Sequence, residues 1–317
     1  DVILNPSASH FAFGKAGIRR RFVAEGSRSF GVAYVYSNLL GNEAGRVIYD
    51  GQLLIAEKGG VIAESRRFGF HDVRVLSAVI DPQAGRVAKR KIASHRPVLP
   101  ASADPGVVRA DHAWPVVTPR MEQRASNESS ESKEDEFTAA VTLGLFDYLR
   151  KSCSSGFVVS LSGGADSAAV ACLVRLMVDL AHNDLGEDVA DKLPSMDFRD
   201  ILLTAYQATE NSGTITRTAA ATLAQALGAT HLDLDLTDIH QAYVNLVSNA
   251  FGQQLSWEKH DIALQNIQAR VRAPGIWMLA NLRNALLLPT SNRTEAAVGY
   301  ATMDGDAAGG LAPISGI

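Results

Sequence analysis

Eight consecutive residues concentrate groups that suit a phosphate: Ser160-Leu161-Ser162-Gly163-Gly164-Ala165-Asp166-Ser167. An apolar run (156–159) precedes them and a long apolar segment follows from Ala168, so the order reads strand, glycine turn, helix. Paired glycines let a backbone turn sharply and bring its N–H groups close to an anion. A helix starting there aims its positive end at the same point. Ser162 and Ser167 add hydroxyls. Asp166 repels a phosphate unless a cation lies between them, which implies Mg²⁺. No lysine follows the glycines, so the loop is not a Walker A loop, and it does not match the dinucleotide fingerprint.

The elements that must position this loop lie in the second half of the chain. Strands are expected at 158–161, 201–206, 231–236 and 286–288, and helices at 167–182, 214–227 and 262–284, the last interrupted by Pro274. Alternation of this kind means a doubly wound parallel sheet, whose ligands bind beyond the carboxyl ends of the strands. Thr209-Glu210-Asn211-Ser212 and Pro289-Thr290-Ser291-Asn292 stand at two such ends, beside the glycine loop at a third. The first block, to about residue 115, reads as a β-rich α/β layer domain. Strands are expected near 2–4, 31–36, 47–49, 53–56, 61–63 and 78–80, with a hairpin turn at Lys58-Gly59-Gly60 and a helix over 20–29. A polar stretch within 116–136 buries too little apolar surface to order itself and reads as a linker. Helical periodicity then runs over 136–151.

The chain has 317 residues and a net charge of −4, which suits two domains and argues against a general nucleic-acid or membrane surface. The basic cluster at 17–21 reads as a solvated surface. The two cysteines, Cys153 and Cys172, lack the spacing of a metal site or disulfide framework, which points to a reducing cytoplasm. The sequence shows no signal peptide and no apolar run that would span a bilayer. Both ends look abrupt, the first like the middle of a strand, so a longer polypeptide is expected.

Ser-Gly-Gly-x-Asp-Ser after a strand resembles the pyrophosphate loop of the ATP pyrophosphatases, which adenylate a substrate at the expense of ATP. Two further stretches resemble NAD synthetases within that group. One is Ala263-Leu264-Gln265-Asn266-Ile267-Gln268-Ala269-Arg270-Val271-Arg272, similar to that family's Asn-x-x-Ala-Arg-x-Arg helix. The other runs from Leu286 through Thr290, Glu295 and Tyr300-Ala301-Thr302-Met303, similar to its Thr-x-x-x-x-Glu turn and Gly-Tyr-x-Thr segment. The resemblance implies a ligase that amidates deamido-NAD to NAD through an adenylate. It implies that Ser160, Leu161, Ser162, Gly163, Gly164, Ala165, Asp166, Ser167 and Thr290 bind ATP, and that Asp166 and Glu295 ligate Mg²⁺. Asn266, Arg270, Glu295, Tyr300, Ala301, Thr302 and Met303 would meet deamido-NAD. Ammonia-dependent relatives carry lysine where Met303 stands.

In the first block, Ile3-Leu4-Asn5-Pro6-Ser7-Ala8-Ser9 and Tyr49-Asp50-Gly51-Gln52 resemble the nitrilase-type αββα amidase domain fused to glutamine-dependent NAD synthetases. That resemblance implies ammonia delivered from glutamine, with Ser9 and Lys15 lining the glutamine pocket. The family's Glu, Lys and Cys triad is absent from this chain. The expected division is an amidase portion over 1–115, a linker over 116–136 and an ATP-pyrophosphatase portion over 137–317. Homo-oligomerisation through the synthetase portion is implied as well. Two alternatives remain: another ATP-pyrophosphatase amidotransferase such as a GMP synthetase, and a non-catalytic nucleotide-binding subunit.

Overall fold

The structure, a computed structural model, describes residues 2–43, 45–91, 132–305 and 307–316. The expected linker therefore lies outside the described residues as far as residue 131. The chain divides into two compact units: Asp1–Gly41 with Val47–Glu136, and Asn42–Arg46 with Phe137–Ile317.

The first unit carries β1 (Val2–Ser7), α1 (Lys15–Phe30), β2 (Ala33–Asn38), β3 (Leu40–Asn42, whose last residue falls in the second unit), β4 (Ile48–Asp50), β5 (Leu53–Glu57), β6 (Gly60–Glu64) and α2 (Pro82–Arg90). Its sheet runs β1-β2-β5-β6, with β1 parallel to β2 and the remaining pairs antiparallel. The β5–β6 turn is made by Lys58 and Gly59, both with positive φ (54° and 84°), the geometry a two-residue hairpin needs. Val23 of α1 packs on Tyr34, Tyr36, Leu54 and Ala56 to form the core. The expected strand at 78–80 is not there. Burial alternates along that stretch with the period of a strand, but no neighbouring strand pairs with it, so it stays irregular. Helix α1 begins at Lys15, earlier than the expected 20–29, and Gly31 ends it in a left-handed conformation.

The second unit follows from α3 (Lys133–Lys151, whose residues as far as Glu136 fall in the first unit), which begins ahead of the expected 136 because Ser132 and Asp135 cap each other reciprocally. Next come β7 (Phe157–Ser160), α4 (Ala165–Leu185), a 3-10 turn (Gly186–Asp191), α5 (Phe198–Ile201), β8 (Leu202–Ala208) and α6 (Thr214–Leu227). Then follow β9 (Thr230–Asp235), α7 (Thr237–Phe251), α8 (Trp257–Arg270), α9 (Arg272–Leu282), β10 (Leu286–Leu288) and α10 (Arg293–Val298). The expected helix over 262–284 is two helices. Pro274 has no N–H for the carbonyl four residues back, that of Arg270, so the break falls at Val271 and the proline sits in the first turn of α9.

All four strands of this unit are parallel, in the order β10-β7-β8-β9. Val158, Leu203, Ala205 and Leu287 on one face pack with Ile276 and Ala280 of α9. Their neighbours Phe157, Val159 and Leu202 are equally buried, and α4 packs on β7 and β8, so these two central strands are covered on both faces. From β7 the chain winds outward through β8 and β9, then returns to place β10 on the other side of β7. The strand order thus reverses between β7 and β10.

Candidate active site

At that reversal, beyond the carboxyl ends of the strands, lies a cleft of about 380 Å³. Three strand ends and the connections that follow them line it: Ser160 at the end of β7 with Ser162, Gly164, Asp166 and Ser167 after it; Gln207 near the end of β8 with Asn211, Ser212 and Gly213 after it; and Pro289, Thr290 and Glu295 after β10.

The glycine loop is built for close approach. Gly163 has φ +80°, and a Cβ there would lie 2.9 Å from the Thr216 carbonyl carbon and closer still to its oxygen. Only glycine therefore lets the loop lean on the start of α6. Gly164 is the N-cap of α4 and offers no side-chain cap, which leaves the first amides of the helix for an anion. Ser167 braces the loop. Its hydroxyl accepts from the Ser162 N–H at 3.2 Å, pairs with Ser162 Oγ at 3.0 Å and donates to the Gly164 carbonyl at 3.2 Å. Leu161 is fully buried, so only its backbone faces the loop, and Ala165 is exposed at the start of α4. Ser160 donates to Gln207 Oε1 at 3.0 Å, and Gln207 in turn donates to the Arg272 carbonyl at 2.8 Å.

Glu295 reaches the cleft from the first turn of α10. Its amide donates to Asn292 Oδ1 at 2.8 Å, while its Oε2 accepts from the Asn292 N–H at 3.2 Å. This capping box fixes the carboxyl group. Asp166 faces the same cleft from the start of α4. Among the described residues no group of three or more His, Cys, Asp and Glu side chains is arranged to hold a metal. Two carboxylates in one cleft fit Mg²⁺, which binds through one or two carboxylates and completes its shell with phosphate oxygens and water.

Other expected site residues stand apart from the cleft walls. Arg270 donates through Nε to the Met303 carbonyl at 3.0 Å, and Asn266 Oδ1 accepts from Thr302 Oγ1 at 3.3 Å. Both fasten α8 to the 299–305 segment, where Tyr300 and Met303 are largely exposed, as is Ala301. The arginine on the cleft wall is Arg272, at the start of α9, whose Nε donates to the Gln207 carbonyl at 3.3 Å. The structure puts Arg272 on the cleft wall, whereas the sequence reading names Arg270 and not Arg272 as a site residue. It missed Tyr206, Gln207 and Thr216; the one usable signal was Gln207, a polar residue at the carboxyl end of a buried strand.

In the first unit, a separate cleft of about 550 Å³ is lined by Pro6, Ser7, Asn38, Asp72 and Arg74 among others. Ser9 and Lys15 are not on its walls. The Ser9 backbone is clamped by Asn38, whose Oδ1 accepts the Ser9 N–H at 2.8 Å and whose Nδ2 donates to the Ser9 carbonyl at 2.9 Å. Lys15 donates to the His10 carbonyl at 3.0 Å. Asn38 is oriented by Asp50, a fully buried carboxylate that also takes two hydrogen bonds from Arg19, at 2.7 and 2.5 Å.

A glycine loop, an uncapped helix start and two carboxylates at a strand-order reversal define the second unit as a parallel α/β domain with a cleft at its switch point. Residues 137–317 match the family model described as NAD synthase, and the chain belongs to that family. Over its whole length it is 43% identical to a glutamine-dependent NAD(+) synthetase from Cytophaga hutchinsonii of known crystal structure, with a TM-score of 0.80, covering 50% of that chain. It is 31% identical to a glutamine-dependent NAD(+) synthetase from Oryza sativa subsp. indica and 30% identical to one from Homo sapiens, covering 48% and 49% of them. The chain spans about half the length of the curated relatives it matches.

Proposed function

We propose that the protein amidates deamido-NAD to NAD at the expense of ATP. The observation that carries this reading is the convergence of the glycine loop, Asp166, Arg272 and Glu295 on one cleft in a chain of the NAD synthase family. The α4 amides and the loop hold the ATP phosphates. Arg272 offsets the repulsion between the substrate carboxylate and the α-phosphate. A carboxylate oxygen of deamido-NAD attacks the α-phosphorus and pyrophosphate departs, giving an acyl adenylate. Ammonia then attacks the acyl carbon and loses a proton, and AMP leaves with the electron pair of the single bond between the acyl carbon and the bridging oxygen. In-line positioning of the two substrates does much of the work. Asp166 and Glu295 would hold Mg²⁺, which when bound screens the phosphate charge. Asn266 and Arg270 act on deamido-NAD through the 300–303 segment that they fasten.

The first unit is read as part of a nitrilase-like amidase that frees ammonia from glutamine, with Ser9 and Lys15 near the glutamine site. Residues 1–115, 116–136 and 137–317 then form amidase portion, linker and synthetase portion. The protein is read as a cytoplasmic homo-oligomer. Exposed apolar side chains on α6 and α7, among them Ile215, Leu246 and Phe251, support the oligomer.

The test is formation of NAD and pyrophosphate from deamido-NAD, ATP, Mg²⁺ and ammonium by the complete protein. Asp166→Asn is expected to lower kcat at least about a hundredfold while leaving the thermal midpoint within a few degrees. Turnover with XMP in place of deamido-NAD would replace this reading with that of a GMP synthetase. Binding of ATP without turnover of any acid substrate would leave a nucleotide-binding subunit.

A further inference from the structure

The β8–α6 connection that forms one wall of the cleft is fastened on one side and unfastened on the other. On the fastened side Gln268 of α8 donates to Thr209 Oγ1 at 2.9 Å and accepts from Asn211 Nδ2 at 3.3 Å, while Ser212 Oγ accepts the Thr209 N–H at 2.9 Å. On the other side stands His240, in the first turn of α7. Its side chain is 2% exposed, and neither ring nitrogen has a hydrogen-bond partner among the described residues. A buried polar ring without a partner is unfavourable, and such groups in native proteins call for an explanation. The nearest carboxylate is Glu210 in the same connection, with Oε1 4.0 Å from His240 Nδ1. That separation is beyond a hydrogen bond, and a movement of about 1 Å closes it. Glu210 has room to move, because its side chain is 42% exposed.

We propose that His240 is a positioning residue for the nucleotide site: Nδ1–H engages the Glu210 carboxylate when the cleft is filled by an adenine nucleotide, drawing the 209–213 connection against its ligand. A carboxylate only accepts, so the proton of the latch belongs on Nδ1. The bond then satisfies the buried ring and is charge-assisted. Asn211, Ser212 and Gly213, next to Glu210, line the cleft, so the latch acts on groups in reach of the ligand. The identity of that ligand rests on the function proposed above.

A double-mutant cycle on the complete protein tests the latch, with calorimetric Kd for ATP and the KM for ATP as readouts. His240→Phe and Glu210→Ala are each expected to raise both about tenfold, the size of one charge-assisted hydrogen bond. The kcat stays within about twofold. The double variant is no worse than either single one, because both remove the same bond. His240→Asn, which puts an N–H donor close to the position of Nδ1, recovers most of the affinity. An unchanged Kd in His240→Phe, or additive losses in the double variant, overturns the latch while leaving the proposed reaction standing. A wild-type protein that binds ATP but makes no NAD overturns the reaction, and the cycle in Kd still judges the latch. A wild-type protein that binds no ATP overturns both.

Discussion

Gly163, in the loop beside the cleft, has little tolerance for change. Gly163→Ala forces a methyl group onto the Thr216 backbone at a φ that L-residues rarely adopt. The expected cost is about 1–3 kcal/mol of stability, read from urea unfolding, together with a weaker Kd for ATP. His231, on β9, makes a different prediction. Burial pushes its imidazole below the ordinary value, against the opposing charge of Asp233, and Thr204 Oγ1 lies 2.8 Å from Nδ1. The unfolded chain therefore takes up the proton first as pH falls. The stability due to neutral His231 is complete above about pH 6.5 and is lost as pH drops toward the lower folded value. Thermal midpoints measured from pH 7.5 down to 5 should fall, and His231→Gln should flatten this component of the slope. An unchanged slope in that variant would assign the acid sensitivity to other groups.

Among elements, α10 is short and depends on its start. Asn292→Ala removes the capping box and should cost about 1 kcal/mol. It also frees the Glu295 carboxyl group, so the Mg²⁺ concentration needed for half-maximal NAD formation should rise; Asn292→Asp, which keeps the cap oxygen, should restore stability. Elements with local signals were legible in the sequence. The glycine loop, the Lys58-Gly59 turn and the strand-helix alternation of the second unit are patterns over a few residues, and the structure contains them. Helix α7 was overlooked although Ile239, Tyr243, Leu246 and Val247 recur at helical spacing. The structure leaves these apolar residues exposed, and the buried residue of the helix is a histidine. That Arg272 and not Arg270 lines the cleft is equally out of reach of the sequence. It depends on where Pro274 breaks the helix, and a shift of two residues turns a side chain to the opposite face. The absent strand at 78–80 shows the reverse limit, since a strand is made by its partner as much as by its own residues.

At the scale of the whole chain, the two units have separate cores, one around Val23 and Leu54 and the other around Val158 and Leu287. Unfolding should not be two-state. Asp50→Ala leaves the buried Arg19 guanidinium without its carboxylate and should cost about 3–5 kcal/mol. Calorimetry should show one of two transitions shifted down and the other in place; a uniform shift of a single transition would mean that the units unfold together. No helix among the described residues is long and apolar enough to cross a membrane. The parallel sheet of the second unit has two unlike edges, and the one opposite the cleft carries Cys153, an exposed thiol after α3. Cys172 lies half-buried within α4, where burial raises its pKa and slows its reaction with electrophiles. A maleimide dye added at neutral pH should therefore couple at Cys153 first, giving a fluorescent reporter on the back of the sheet that watches the molecule while leaving the mouth of the cleft unobstructed.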